Sequence, residues 1–149
     1  AYIPGICNFA SLQNIRVDNK LQTFLYDIIS GIPFKSTFFG EEDYKLSLFF
    51  NSQNGVNGQI LPCVDQFAFY FGWPLAPFFQ WIYIRIAQTS LAISKKATSV
   101  LEILVYTLLF VYSVINPATN NSTNYISLVT QRVIPLFILL FIRKLKIRT

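Results

Sequence analysis

The stretch that decides the fold is residues 125–142, which read YISLVTQRVIPLFILLFI. Its second half, residues 134–142, is apolar around nearly the whole helix circumference. A bilayer core of about 30 Å needs roughly 20 helical residues, with about 17 as the lower limit. The stretch is therefore long enough to span a membrane, and so small a chain holds too little protein to cover such a helix on every side.

Two further apolar stretches precede this one along the chain, at residues 75–93 and 99–115. Pro74 and Pro77 lie near the start of the first, where proline is tolerated in an initial helical turn. Before them, residues 66–73 are expected to form an aromatic approach along the membrane interface.

The sequence therefore predicts an all-α integral membrane protein with about three transmembrane helices, preceded by a small, mainly helical extramembrane head. The alternative is a soluble all-α protein with three buried helices. The predicted parts are a head at 1–65, a membrane domain at 66–149, spans near 75–93, 99–115 and 125–142, and a basic C-terminal tail.

The composition agrees with a membrane protein and excludes much catalytic chemistry. Hydrophobic residues make up 53% of the 149 residues and charged residues only 13%, about half the usual soluble share of roughly 25%. The absence of histidine excludes histidine-ligated haem, His-bearing zinc sites and Ser-His or Cys-His nucleophile pairs. The chain begins at Ala1 and contains no Met, so a removed preceding segment is expected.

Basic residues predict the orientation in the membrane. They cluster after the first and third spans, and three antiparallel spans place both clusters on one side, as the positive-inside rule requires. The head and the neutral loop at 116–124 then lie on the opposite side, together with Trp73, Tyr112 and Tyr125 as an aromatic belt. The clustered basic residues are Lys95, Lys96, Arg143, Lys144, Lys146 and Arg148.

Charge is distributed unevenly along the chain. Residues 1–65 carry four basic and six acidic side chains, whereas residues 66–149 carry eight basic and one acidic. The basic residues stand in short clusters beside apolar runs and not along one polar face, so nucleic acid is not an expected partner.

One head segment predicts an amphipathic helix. Asp18 is a good N-cap, and Gly31 with Pro33 should stop the helix. The pattern does not distinguish a helix that covers a small core from one that lies flat on the membrane. Its apolar positions are Leu21, Phe24, Leu25, Ile28 and Ile29, and its polar face carries Lys20, Gln22, Thr23 and Asp27.

A second short helix is predicted after the acidic run at 41–43, which suits a first helical turn. The two Asn-Gly steps within residues 51–58 predict a turn-rich loop there.

Cys7 and Cys63 are the only cysteines, and both fall in the head. On an oxidising side of a membrane they are predicted to form one disulfide, closing a loop of about 57 residues and contributing about 4 kcal/mol. Two unrelated buried thiols are the alternative, and the spacing is unlike a Cys-x-x-Cys motif.

Three charged residues lie inside the predicted spans: Arg85, Glu102 and Arg132. Such residues are costly in hydrocarbon and face protein, water or a partner. Glu102 is nearer in depth to Arg85, so Arg132 is predicted to contact another molecule, with Asp65 as the competing partner; simple snorkelling to headgroups is the alternative. Because Pro135 cannot donate to the carbonyl of Gln131, the third span should bend there.

The functional hypothesis is a non-catalytic accessory subunit of a multi-subunit energy-converting membrane complex, of photosystem or respiratory-chain type, in a thylakoid or mitochondrial inner membrane. The head would lie on the lumenal or intermembrane-space side. The Cys-bearing head before a membrane span resembles the plastocyanin-docking subunits of photosystem I in that arrangement alone, and no residue role follows from it.

Its expected partners are other subunits and membrane lipids. No metal, no haem and no cofactor of its own are predicted, although peripheral pigment or lipid contacts fit the composition. The alternative function is a small transport or protein-translocation component with a polar path at Arg85, Glu102 and Arg132.

Overall fold

The computed structural model describes residues 11–34, 45–55, 61–119 and 121–148. All the regular structure within those ranges is helical, which confirms the all-α prediction. The elements are α1 (Lys20–Ile29), α2 (Leu46–Asn54), α3 (Cys63–Phe71), α4 (Ala76–Lys96), α5 (Val100–Thr119), α6 (Ser122–Leu128), a π-helical segment (Val129–Val133) and α7 (Ile134–Arg148).

Helix α1 begins one residue later than the sequence predicts. Its N-cap is Asn19, whose side chain accepts a hydrogen bond from the backbone N–H of Gln22 at 3.1 Å. Asn and Asp are comparably good N-caps, so the choice of Asp18 was wrong by one position. The helix ends at Ile29, before Gly31 as predicted.

Helix α2 extends into residues that were predicted to be a loop. It runs to Asn54, and Gly55 ends it in the left-handed conformation at φ 64°. Leu46 and Phe50, one turn apart, are buried in the head core, and this packing favours the helix over the local turn signal at 51–54. The acidic run at 41–43 lies outside the described residues.

Helix α3 covers most of the predicted interfacial approach at 66–73 and crosses the predicted boundary between head and membrane domain. It folds back along the first two turns of α4 after a turn at Gly72, whose φ is 80°. The rings of Phe67 and Phe71 stack on Phe79 of α4 at centroid distances of 4.5 and 4.6 Å. Aromatic contacts of this kind contribute beyond the area that they bury.

The last three helical stretches form an antiparallel bundle. Helices α4 and α5 pack along their length as a hairpin, and the chain then returns along α5, as the ring contact between Tyr106 and Phe137 shows. The C-terminal ends of α4 and α7 therefore lie at one end of the bundle. Buried side chains between the helices include Ala87, Ser90, Val105, Val133 and Leu140.

The returning stretch is irregular where proline was predicted to bend it. The backbone N–H of Ile134 donates to the carbonyl of Val129, five residues earlier, and the segment Val129–Val133 is π-helical. Pro135 has no N–H to donate, so the preceding turn is free to take the wider geometry.

Within the described residues, one helical stretch is long and apolar enough to cross a membrane, Ser122–Arg143; residues 100–115 are apolar but shorter. A core helix of a soluble protein can meet the same criteria, but it is mostly buried. In Ser122–Arg143, only 11% of the most apolar 18-residue stretch is buried. We call Ser122–Arg143 the apolar return helix.

Candidate functional site

A buried carboxylate organises the head. Asp27 of α1 is 1% exposed and accepts hydrogen bonds from the Tyr70 hydroxyl at 2.6 Å, from Gln66 Nε2 at 3.2 Å and from the backbone N–H of Leu46 at 3.2 Å. A buried carboxylate is tolerated only when its oxygens are satisfied in this way. Asp27 therefore ties α1 to both α2 and α3.

The same network reaches the apolar return helix. Gln66, fully buried, accepts a hydrogen bond at its Oε1 from the backbone N–H of Ser122 at 2.8 Å. The Thr123 hydroxyl donates to the backbone carbonyl of Asp27 at 2.8 Å. We call Asp27, Gln66, Tyr70, Ser122 and Thr123 the Asp27 network; it joins the head to the first turn of the return helix.

Tyr70 serves this network as a proton donor. Burial raises its pKa well above the ordinary range, and the negative charge of Asp27 and the hydrogen bond to it raise it further. The hydroxyl thus keeps its proton at any physiological pH and remains a hydrogen-bond donor to the Asp27 carboxylate.

Cys63 lies buried at the start of α3, and it is bonded to no other sulfur among the described residues. Burial raises its pKa to about 12, and its Sγ atom accepts a hydrogen bond from the Tyr83 hydroxyl at 3.8 Å. A thiol that stays protonated is neither a nucleophile nor a metal ligand. Cys7 lies outside the described residues, so its predicted disulfide with Cys63 stays a prediction.

Arg132 lies on the outer surface of the bundle, in the π-helical segment. Its Nη1 atom donates to the Tyr112 hydroxyl of α5 at 3.2 Å, and Asp65 is not among its recorded contacts with described residues. A neutral hydroxyl satisfies one donor, and no carboxylate of the described residues is in contact with this guanidinium. The contact with another molecule predicted for Arg132 is not tested by this chain alone.

Arg85 is also exposed, and its guanidinium lies 5.8 Å from the centre of the Trp81 ring, one turn earlier on α4. Side chains on a helix point toward its N-terminus, which directs Arg85 away from Glu102. The structure records no contact between these two side chains among the described residues. The backbone N–H of Glu102 bonds to Ser99 Oγ at the start of α5.

Asp65 of α3 is half-buried. Its Oδ2 atom is buried and has no hydrogen-bond partner among the described atoms. Burial raises the pKa of this carboxyl to about 6, so its charge changes in mildly acidic solution.

An apolar groove runs along the outside of α4, in two adjoining hollows of about 420 and 350 Å³ that share Val64, Gln80 and Ile84. The Nε2 atom of Gln80 is buried there with no acceptor among the described atoms. A buried amide N–H without an acceptor in a mainly apolar groove can donate to a carbonyl oxygen of a bound molecule.

The central residue of the Asp27 network was missed by sequence reasoning, which placed Asp27 on the polar face of an amphipathic helix and gave it no role. The hydrogen-bond donors to the Asp27 carboxylate lie 19 to 43 positions away in the sequence, so no local pattern could reveal them. The only sequence signal is the polar row Thr23, Asp27 and Ser30, which falls on one face of the helix.

The described residues include no group of three or more His, Cys, Asp or Glu side chains placed to hold a metal ion. Comparisons of the chain with protein-family models, curated proteins and solved structures find no match.

Proposed function

We propose that this chain is a non-catalytic accessory subunit of a multi-subunit membrane complex of the energy-converting type, in a thylakoid or mitochondrial inner membrane. It would cross the membrane with α4, α5 and the apolar return helix, with the head on the lumenal or intermembrane-space side. Its role would be to stabilise assembly and to contact lipids or pigments. No enzymatic activity is proposed for it.

The observation that carries this proposal is the outward-facing surface of the bundle. Large apolar side chains remain exposed on each of its helices, more than a soluble monomer normally exposes in one area. The exposed set includes Trp81, Ile84, Ile103, Leu104, Val114, Ile138, Leu139 and Phe141. Lipid covers such a surface without needing any polar contact.

Arg85 and Arg132 support a protein partner in addition to lipid. Both lie on the outer surface at mid-helix, and their recorded partners are an indole ring and a hydroxyl. An ionised arginine in the hydrocarbon region costs at least about 2.5 kcal/mol. A carboxylate of a neighbouring subunit would supply the missing counter-charge and reduce this cost.

The transport alternative, with a polar path at Arg85, Glu102 and Arg132, gains no such support. The two arginines face outward, so within one chain they line no interior path. Such a component would have to build its path between copies of itself.

The experiment is to tag the chain, solubilise its native membrane in mild detergent and separate the complexes by native electrophoresis. An accessory subunit migrates in stoichiometric amount with a large assembly whose members mass spectrometry identifies. Migration only as a monomer or as a small homo-oligomer would reject the proposal and favour a carrier.

A further inference from the structure

Helix α1 buries polar side chains and exposes apolar ones, which is the reverse of an ordinary amphipathic helix on a protein core. Its buried residues are Thr23 and Asp27, whereas Leu21 is 65% exposed and Leu25 is 47% exposed. Burial of a leucine side chain stabilises a fold. These two leucines stay exposed because Asp27, on the other side of the helix, must face its hydrogen-bond partners.

The exposed apolar positions continue past the end of the helix. At about 100° per residue, Leu21, Leu25 and the half-buried Ile28 lie on one side of the helix, opposite Thr23 and Asp27. Ile32, 43% exposed, follows at the same spacing, and Phe34 beyond it is 79% exposed. We call Leu21, Leu25, Ile28 and Ile32 the α1 stripe.

Contacts at the end of α1 fix its position relative to the apolar return helix. The Thr130 hydroxyl lies within hydrogen-bond distance of the carbonyl of Gly31, at 3.1 Å. A Cβ atom on Gly31 would lie 2.6 Å from the carbonyl oxygen of Thr123, so the two backbones are in close contact. The end of α1 thus packs on the first two turns of the return helix.

This position determines what covers the α1 stripe. If the return helix crosses the bilayer, its first two turns occupy roughly the outer 12 Å of the span. An apolar helix face held at that depth would meet the boundary between headgroups and acyl chains, where interfacial helices bury their apolar faces by about 5–10 Å.

We propose that the α1 stripe binds the lipid bilayer on the head side, so that α1 is an interfacial helix that anchors the head. This inference rests on the proposed membrane location. It commits to lipid, and a partner protein on the stripe is the outcome that would oppose it.

The test uses the full chain in phosphatidylcholine nanodiscs, with Trp73 and Trp81 replaced by Phe. One variant adds Leu25→Trp as the probe, and a matched variant adds Gln22→Trp, an exposed position on the same helix at its flank. Lipids brominated near the top of the acyl chain quench only an indole at that depth. We expect Leu25→Trp to emit at shorter wavelength and to be quenched at least about twice as strongly as Gln22→Trp.

Resistance to alkaline extraction from vesicles, measured on the same variants, separates the two proposals. Resistance with equal, weak quenching at both positions overturns the lipid contact and leaves the membrane proposal standing. Weak quenching in nanodiscs with a blue shift only inside the native complex also overturns it, in favour of a protein partner. Extraction of the chain by alkali rejects the membrane location itself and this inference with it.

Discussion

The Tyr70 hydroxyl donates a 2.6 Å hydrogen bond to the Oδ2 atom of Asp27, across 43 positions of sequence. This contact holds the polar side of α1 against the head and leaves Leu21 and Leu25 exposed on the other side.

Replacing Asp27 by Ala is expected to lower the free energy of unfolding by about 3 kcal/mol, because the donors from Leu46, Gln66 and Tyr70 lose their acceptor in a buried place. Asp27→Asn keeps one acceptor oxygen and should cost less. Thermal unfolding in detergent, followed by circular dichroism, measures both. Asp18→Ala, at an exposed position, is the control and should change stability by less than about 0.5 kcal/mol. Equal effects at positions 18 and 27 would contradict the role of the network.

Gly31→Ala should loosen the head from the return helix. The added Cβ would lie 2.6 Å from the Thr123 carbonyl oxygen and 2.7 Å from Ile126 Cβ, and relieving such overpacking costs about 1–3 kcal/mol. Hydrogen exchange should rise in residues 122–130. Gly55→Ala, whose Cβ meets nothing within 4 Å, strains only the backbone and should leave exchange in that segment unchanged. A rise in both variants would argue against a local contact.

Arg132→Leu is expected to reduce the amount of chain retained in the purified complex by about tenfold, which corresponds to about 1.4 kcal/mol. Quantitative mass spectrometry of the complex measures the retention. Tyr112→Phe removes the internal acceptor and leaves the charge, so it should be retained far better; Arg143→Leu controls for the loss of a positive charge. Full retention of Arg132→Leu, with unchanged lipid and pigment content, would instead favour snorkelling.

The free energy of unfolding should depend on pH through the carboxyl group of Asp65. Its pKa rises from 3.8 to about 6 in the folded chain, so the folded state binds the proton more tightly than the unfolded state. Stability should therefore be highest below pH 4 for this group and fall as the pH rises toward 6. Because the carboxyl is only half-buried, the loss is about 1 kcal/mol after solvent screening. Asp65→Asn should abolish this slope in unfolding measured between pH 4 and 7; a slope that persists must come from another group.

The proposed topology predicts the labelling of introduced cysteines. Gln13 in the head and Thr98 between α4 and α5 are both exposed. In a Cys7→Ser background, with Cys63 buried, Gln13→Cys and Thr98→Cys should react with a membrane-impermeant maleimide from opposite sides of sealed vesicles. Labelling of both from the same side would contradict three spans.

Much of the helical content could be predicted from the sequence. The apolar runs at 99–115 and 125–142 predict α5 and most of the return helix, and Pro135 predicts the irregular turn before it. Helix boundaries were less predictable. Helix α2 continues into residues with a local turn signal because Leu46 and Phe50 are buried against residues distant in sequence. Helix α3 folds back on α4 through ring contacts between the two helices, which a local sequence pattern does not reveal.

The candidate site residues were likewise predictable only where a local sequence pattern marks them. The sequence singled out Arg85 and Arg132 as charges within apolar helices, since isolated charges are visible in any local window. Their directions came from the structure, which places the Arg85 guanidinium near the Trp81 ring, one turn earlier on α4, and the Arg132 guanidinium against the Tyr112 hydroxyl of α5. Asp27 could not be predicted as a site residue because its hydrogen-bond partners belong to three other helices, α2, α3 and α6.

The sequence alone determined that the chain is helical, that α1 has one apolar and one polar face, and that the charged positions within its apolar helices are few. These properties depend on residue spacing and composition within a few turns. Only the tertiary structure decided which face of α1 turns inward. Hydrogen-bond donors from Leu46, Gln66 and Tyr70 converge on Asp27, and burying a carboxylate with its partners satisfied leaves Leu21 and Leu25 exposed on the opposite side.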